Sequence, residues 1–299
     1  MASEKARWLV SVPVWGERYV AEFCAASLPT IDRAVAALSA TGVEVRVVAY
    51  TDQPERVVGA GGPATECRPV PAGARDFDCM SQAHRDTLSL ALRGDVVVLL
   101  TAGTVISEQG LVYCAEVLLN SQLQVVLCAV PRVLQQGQLP DTADAGELMR
   151  WSWDNRHPMT NECTFPEGRS VDLSRTYYVS PAGAVATRVF LPHPLAVRID
   201  GRPMRFTPTV DCNLMNCFDS SEMHMATTSG RLAVVKLTPA DKGYELAEAT
   251  MAARMLEGLL VSDKHQLWCA GHRVVLCEGD LEGCEDNLLI ESIRGSRRT

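Results

Sequence analysis

The sequence lacks long apolar runs and an excess of basic residues. No stretch of about 18 consecutive apolar residues, the length that a membrane-spanning helix needs, occurs among the 299 residues. The first residues, MASEKARWLVSVPVWG, also lack the apolar segment of a secretory signal. With 28 Lys and Arg against 36 Asp and Glu, the net charge is −8. We therefore expect a cytoplasmic protein whose partner is neither a membrane nor a nucleic acid.

Closely spaced cysteine pairs are also missing. The chain has 11 cysteines, but none of them forms the C-x-x-C pair that is typical of zinc and redox sites. Several lie within apolar runs, such as Cys114 in LVYCAEVLL and Cys128 in VVLCAV. Because a reduced cysteine packs like a small hydrophobic residue, the pattern favours thiols in a core over disulfides or a metal site.

What the sequence does contain is an alternation of apolar runs and helical patterns in its first half. The run VVVLL at 96–100 is apolar at every position, as in a central strand that is covered on both faces. Strand and helix in turn predict an α/β fold, with a mostly parallel central sheet and helices on both faces, and a ligand at the carboxyl ends of the strands. The predicted strands are 8–12, 44–50, 67–70, 96–100 and 124–130, and the predicted helices are 18–38, 76–92 and 108–120.

The second half has a less regular pattern and is predicted to be mixed α+β. Short strands are expected within 177–189, 196–199 and 232–237, and the clearest helix is expected over Ala240–Leu260. We divide the chain into residues 1–133 and residues 134–299, which are expected to form one continuous globular unit.

Three segments of the first half carry a family resemblance. They are VPVWG at 12–16 after the first strand, Thr51-Asp52 after the second, and ALRGDVVVLL at 91–100. Together they resemble the nucleotide-binding half of glycosyltransferases with the GT-A fold, especially family-2-like proteins. The resemblance covers roughly residues 7–133 and implies that this part binds a nucleotide-linked sugar, while residues 134–299 form the acceptor and catalytic half.

The second half resembles an atypical bacterial branch of that superfamily. There, His-Pro pairs and a Thr-x-Asp segment recur; here they read Arg156-His157-Pro158, LPHPL at 191–195 and TVD at 209–211. This likeness adds support for the fold rather than for a particular reaction.

The resemblance fails at the DxD motif, where the family places the carboxylates that hold a divalent cation. After VVVLL this chain has Thr101-Ala102-Gly103-Thr104, and the nearest carboxylate is Glu108. A departing nucleoside diphosphate needs cationic or hydrogen-bonding groups near its phosphates. Three explanations follow: a metal-independent enzyme that uses Arg, Lys, hydroxyl or backbone donors, a metal that is held elsewhere, or a loss of sugar transfer.

Candidate donor-binding residues follow the strand ends or belong to the helix before the central strand. Trp15 can stack on a flat ring and Arg18 can meet a phosphate, whereas Asp52 can accept hydrogen bonds from a ribose or base or simply close a turn. Ser81 and Arg85 share one helical face, which is otherwise a solvated surface. The full set is Pro13, Trp15, Arg18, Asp52, Ser81, His84, Arg85 and Thr101.

Catalytic candidates come from the second half. His157, His193 and Asp211 are the residues that could act as acid or base, and they could also bind a divalent metal if the fold brings them together. Asp211 is the first choice for the general base, with Asp219 and Glu222 as alternatives. For Asp219 a structural role as a helix cap, with Glu222 three residues later, is the favoured interpretation.

The leading hypothesis is a glycosyltransferase-like enzyme that moves a sugar from a nucleotide-linked donor to a small soluble acceptor; metal-independent transfer and transfer with a divalent metal both remain open. Two alternatives remain open: a metal-dependent enzyme of another class that uses the His/Asp set, and a catalytically silent nucleotide-binding protein. The expected partner is a small-molecule substrate, with a homo-oligomer as a further option.

Overall fold

The computed structural model describes most of the chain. The described residues are 6–61, 65–70, 76–135, 139–140, 144–165, 170–172, 175–189, 192–204, 214–240, 246–248, 265, 268–269 and 271–282.

Short strands outnumber helices along the described chain. The strands are β1 Arg7–Pro13, β2 Glu44–Thr51, β3 Thr65–Pro69, β4 Val96–Leu99, β5 Thr104–Ile106, β6 Val125–Cys128, β7 Arg132–Leu134, β8 Thr164–Phe165, β9 Ser170–Asp172, β10 Arg175–Val179, β11 Val185–Val189, β12 His193–Arg198, β13 Met223–Met225, β14 Val234–Thr238, β15 Leu246–Glu248 and β16 Arg273–Cys277. The helices are α1 Glu17–Glu22, which continues through a π-helical segment Phe23–Ser27 into α2 Leu28–Ala40, then α3 Pro54–Ala60, α4 Asp76–Leu90, α5 Gly110–Leu119, α6 Ala145–Asp154 and α7 Met159–Glu162.

A seven-stranded sheet forms the centre of the protein. Its strand order is β13-β6-β12-β4-β1-β2-β3. The pairs of β1 with β2 and β4, of β2 with β3 and of β6 with β13 are parallel, whereas β12 runs antiparallel to both of its neighbours. The predicted α/β class with a mostly parallel central sheet is therefore confirmed. This sheet contains strands that precede residue 133 in the sequence and strands that follow it. The division of the chain into residues 1–133 and 134–299 stays a prediction.

The central strands are apolar throughout because helices cover the sheet on both faces. On one face, Trp8 and Val10 pack with Ile31 of α2 and Leu118 of α5. The other face carries Leu9 and Val97, and α4 packs against it. The burial of every residue from Val96 to Leu100 explains why this strand reads as an uninterrupted apolar run.

Asp95 aligns the amino ends of β1 and β4. Its carboxylate accepts hydrogen bonds from the Arg7 side chain at 2.6 Å and from the Leu92 backbone N–H at 2.8 Å. Burial alone would raise the pKa of Asp95, but the hydrogen bonds from Arg7 and Leu92 outweigh it, so the pKa lies below its usual value. Fixing these amino ends also fixes where Pro13 and Leu99 end the two strands, which is the edge where a ligand is expected.

A second, three-stranded sheet of order β5-β14-β7 adjoins this edge. The predicted strand at 232–237 corresponds to β14, whereas its partners β5 and β7 were not predicted, since each has only three residues. Lys236 lies opposite Thr104 on one side and Arg132 on the other. Paired residues of adjacent strands project to the same face of a sheet. This register therefore places the cationic side chains of Lys236 and Arg132 next to each other on one face.

The prediction of a helix over Ala240–Leu260 is wrong for the part of this segment that the structure describes. Leu246–Glu248 instead forms β15, which pairs antiparallel with β9 in a sheet of order β15-β9-β10-β11-β16. The apolar spacing of this segment suits a helix, but pairing with a neighbouring strand overrides such a local preference. Among the described residues, no helix is long and apolar enough to cross a membrane, and the nine cysteines form no disulfide with one another.

Two adjacent leucines of α5 allow a test of how this helix packs on the central sheet. Leu118 is fully buried, whereas Leu119 is 48% exposed. Leu118→Ala should lower the free energy of unfolding by about 2–5 kcal/mol, because it leaves a cavity between α5 and the sheet. Leu119→Ala, the matched control, should change it by about 0.5 kcal/mol or less. Urea denaturation measures both, and equal losses would contradict the described packing.

Candidate functional site

A cleft of 360 Å³ opens where β1, β4 and β14 end. Its apolar wall consists of Pro13, Met80, Ala102, Leu237 and Pro239. Its aromatic and polar side chains are Trp15, Tyr19, Thr101, Arg132, Lys236 and Thr238. We refer to this set as the strand-end cleft. Of the predicted donor-binding residues, Pro13, Trp15 and Thr101 belong to it.

The loop after β1 presents Trp15 to the cleft. The backbone N–H of Val14 donates to the Tyr50 carbonyl at 2.8 Å, so the loop begins as an extension of the sheet. Gly16 then adopts φ 80° and ψ 141°, a conformation that side chains with a Cβ rarely adopt. Its N–H donates to both carboxylate oxygens of Asp52, each at 3.1 Å. Asp52 is outside the cleft lining and holds the Trp15 loop in place.

Lys236 joins the second sheet to the turn that follows β4. Its Nζ donates to Thr101 Oγ1 at 2.7 Å and to the Ala102 carbonyl oxygen. The hydroxyls of Thr101 and Thr104 lie 3.1 Å apart, and the N–H of Leu237 donates to the Gly103 carbonyl at 2.8 Å. The segment 101–104 is therefore crosslinked by hydroxyl, amide and ammonium groups.

The charge of the cleft is positive. Arg132 and Lys236 both line it, and no carboxylate belongs to its lining within the described residues. Aromatic faces at Trp15 and Tyr19 accompany these cations. Together they provide a stacking surface beside an anion site, which suits a planar ring attached to a phosphate.

Ser81 and His84 lie behind the cleft, where α4 packs on β1. Both are buried, and His84 Nδ1 is 2.9 Å from Ser11 Oγ. Burial first, and the proximity of His193 second, lower the pKa of His84 to about 3. The predicted helical face of α4 thus contacts the sheet, while Met80 of the same helix reaches the cleft. Arg85 is half-buried and outside the cleft lining.

His157 contacts the part of the cleft lining that includes Arg132 and Pro239. It is buried, its Nε2 lies 3.2 Å from the Pro239 carbonyl, and its backbone N–H donates to the Arg132 carbonyl at 3.0 Å. His157 therefore contacts the backbone of two residues that line the cleft.

His193 begins β12 beside the end of β4, where its Nε2 lies 2.5 Å from the Leu99 carbonyl. Asp211, the third member of the proposed catalytic and metal set, lies outside the described residues. Within the described residues, no group of three or more His, Cys, Asp or Glu could hold a metal ion. The metal site with Asp211 and the base role of Asp211 stay predictions.

The alternative bases form a structural cluster. The Asp219 N–H donates to Glu222 Oε2 at 2.9 Å, as expected from their predicted capping arrangement. Glu222 is also bound by Arg202 at 2.5 Å, and the hydrogen bond from this arginine lowers the pKa of the Glu222 carboxyl. Neither residue lines the cleft.

Sequence reasoning missed Tyr19, Met80, Arg132 and Lys236. Lys236 carried a usable signal, since LAVVKL places one lysine in a run that is otherwise apolar. A partly buried lysine needs polar partners, and Lys236 finds them in the Thr101 turn. The three residues of β7 gave no comparable pattern for Arg132.

Comparisons with known proteins are limited to structural likeness. No family model matches the chain, and no curated protein matches it. A crystal structure of S. aureus TarS 1-349 is similar with a TM-score of 0.37 and 10% identity, covering 87% of this chain and 68% of that one. A second S. aureus TarS structure gives a TM-score of 0.35 and 12% identity, covering 87% of this chain and 41% of that one. At these values the likeness carries no argument about what this chain does.

Substitution of Gly16 tests the backbone conformation of the loop that carries Trp15. Gly16→Ala should lower the free energy of unfolding by about 1–3 kcal/mol, because its φ of 80° strains any residue with a Cβ. It should also change the fluorescence of Trp15. Gly59→Ala in α3, where an added Cβ contacts nothing within 4 Å, should leave stability unchanged or slightly higher. A Gly16→Ala protein as stable as Gly59→Ala would contradict the described loop.

The pH dependence of stability tests the buried position of His84. The unfolded chain takes up a proton on this residue below a pKa of 6.5, whereas the folded protein does so only near 3. Stability contributed by neutral His84 is therefore present above pH 6.5 and is lost as the pH falls toward 3. Relative to His84→Gln, the native protein should lose about 1.4 kcal/mol per pH unit in this window. Denaturant titrations at several pH values measure the difference, and parallel curves would show that His84 is not buried.

Proposed function

We propose that this protein is a glycosyltransferase-like enzyme that binds a nucleotide-linked sugar in the strand-end cleft and transfers the sugar to a small hydroxylated acceptor without a metal ion. The observation that carries the proposal is the position of Lys236. Its ammonium group is hydrogen-bonded to the Thr101-Ala102 turn, which is where the resemblance to GT-A enzymes would place metal-binding carboxylates.

The lining of the cleft supports a nucleoside diphosphate as the bound group. Trp15 and Tyr19 offer faces for a base, and Lys236 and Arg132 offer positive charge for the phosphates. An arginine can bind two phosphate oxygens at once, whereas a lysine acts as a point charge. The volume of 360 Å³ is within the usual range for small-molecule sites.

The transfer reaction makes specific demands on these groups. The acceptor oxygen forms a bond to the anomeric carbon while the bond from that carbon to the phosphate oxygen breaks. The nucleoside diphosphate leaves with the electron pair, and its growing negative charge has to be stabilised. Lys236, Arg132 and the Thr101 hydroxyl would supply that stabilisation in the role that a divalent cation plays elsewhere.

Nucleotide binding in EDTA tests the proposal. Calorimetry with UDP, GDP, CDP and dTDP should show binding of at least one of them without a divalent metal. Lys236→Met should weaken that binding about 10- to 100-fold, because a charge-assisted hydrogen bond is lost. Arg46→Gln, an exposed residue of β2 that pairs with Glu44, is the control and should bind as the native protein does.

Three results would change the assignment. Binding that requires Mg²⁺, or that Lys236→Met leaves unchanged, would contradict the role of Lys236. Absence of binding by all four nucleotides would contradict the proposed function itself. Binding without release of nucleoside diphosphate from any of the corresponding nucleotide sugars would favour a catalytically silent nucleotide-binding protein.

A further inference from the structure

A second hollow of 590 Å³ lies next to the strand-end cleft. Its polar side chains are Arg18, Glu22 and Gln135, and its apolar surface includes Leu139 and Leu237. Leu237 lines both cavities, so the two adjoin at this residue. We refer to this cavity as the Arg18 hollow, because it contains the residue that sequence reasoning assigned to the donor phosphate.

Short side chains on the first helix leave the room for this hollow. Ala21 of α1 and the adjacent residues Ala25 and Ala26 of the π-helical segment line it. Arg18 and Glu22 are four residues apart, so both lie on the face of α1 that looks into the hollow. Among the described residues, the lining of this pocket is largely apolar and includes one carboxyl group, a composition that suits a small hydroxylated molecule.

Glu22 is held in place by a short chain of hydrogen bonds. Arg18 Nη2 donates to Gln135 Oε1 at 3.0 Å, and Gln135 Nε2 donates to Glu22 Oε2 at 2.6 Å. The other oxygen, Glu22 Oε1, is buried and has no hydrogen-bond partner among the described residues. A buried carboxyl oxygen without a donor is costly, so a ligand hydroxyl that reached Oε1 by a small rotation of the Glu22 side chain would satisfy an acceptor that the protein leaves unmet.

The carboxyl group of Glu22 also lies close to the turn that contributes Thr101 and Ala102 to the strand-end cleft. A Cβ added to Gly103 would lie 3.0 Å from Glu22 Oε1 and 3.0 Å from the Leu237 carbonyl oxygen. Glycine at this position, with φ 74°, therefore lets the carboxyl group approach the backbone of the turn. On the same turn Lys236 contacts Thr101 and Ala102, so a base and a cation lie close to one short segment.

The surroundings of Glu22 favour its use as a base. Burial raises the pKa of its carboxyl group above the usual value, while the positive charges of Lys236 and Arg18 oppose that effect. A carboxylate with a raised pKa accepts a proton more readily at neutral pH than an exposed one.

We infer that the Arg18 hollow is the acceptor subsite and that Glu22, in place of the sequence-predicted Asp211, is the general base of the transfer; this inference rests on the proposed function. The acceptor is a small molecule with a free hydroxyl group, oriented by Gln135 and Arg18. Its oxygen attacks the anomeric carbon of the donor held in the strand-end cleft, and its proton passes to Glu22. The bond to the diphosphate breaks, and the diphosphate leaves with the electron pair.

Replacement of Glu22 tests the inference through the pH profile. The measured reaction is release of nucleoside diphosphate from UDP-, GDP- or dTDP-linked glucose, with glycerol as the acceptor. Glu22→Gln should reduce kcat about 100-fold or more and should remove the acidic limb of the pH profile. Glu22→Asp should retain that limb with an intermediate rate. Binding of the nucleoside diphosphate in EDTA should remain within about 3-fold, because Glu22 does not line the donor cleft.

Glu17→Gln is the matched control, since Glu17 begins the same helix, is 83% exposed at its side chain and pairs with Arg56. Its rate and pH profile should equal those of the native protein. A Glu22→Gln enzyme with native kcat, or a Glu22→Gln pH profile that keeps its acidic limb, would overturn the inference while leaving the proposed function intact. Failure of nucleotide binding would instead contradict the proposed function.

Discussion

The bond between Lys236 and the turn after β4 is the contact on which the site depends. Lys236 belongs to the small sheet, whereas Thr101 and Ala102 continue a strand of the large sheet. A partly buried ammonium group needs such polar partners, and the turn offers them through the Thr101 hydroxyl and the Ala102 carbonyl. The same contact therefore joins the two sheets and places a positive charge at the carboxyl edge of β4, where α/β folds bind ligands.

The rest of the fold sets the position of that edge. Asp95 and Arg7 fix the starts of β4 and β1, and Asp52 holds the loop that carries Trp15. His157 contacts the backbone of Arg132 and Pro239 from behind. Asp52 and His157, which first suggested ligand contacts, thus hold the backbone around the cleft, while the side chains that line it come from strand ends, turns and the helices α1 and α4.

The parts of the fold that could be predicted from sequence are those where burial leaves a pattern. The strands around Val98 and Val47 are recognisable because two covered faces demand apolar residues at nearly every position. Three-residue strands such as β5 and β7 are too short to show a period, so Arg132 was missed. Trp15 and Thr101 were found because strand ends can be located, whereas Glu22 resembles any charged residue of a surface helix. His84 shows a limit of such reasoning, because a polar residue buried against Ser11 cannot be distinguished in sequence from one that faces a ligand.

The most direct test of whether Lys236 binds the phosphates without a metal is a crystal structure of the protein grown with a nucleoside diphosphate and EDTA. We expect a phosphate oxygen within hydrogen-bonding distance of Lys236 Nζ, a second contact to Arg132, and the nucleotide base against Trp15. A nucleotide bound away from the ends of β1 and β4, or phosphates that approach neither cation, would contradict it.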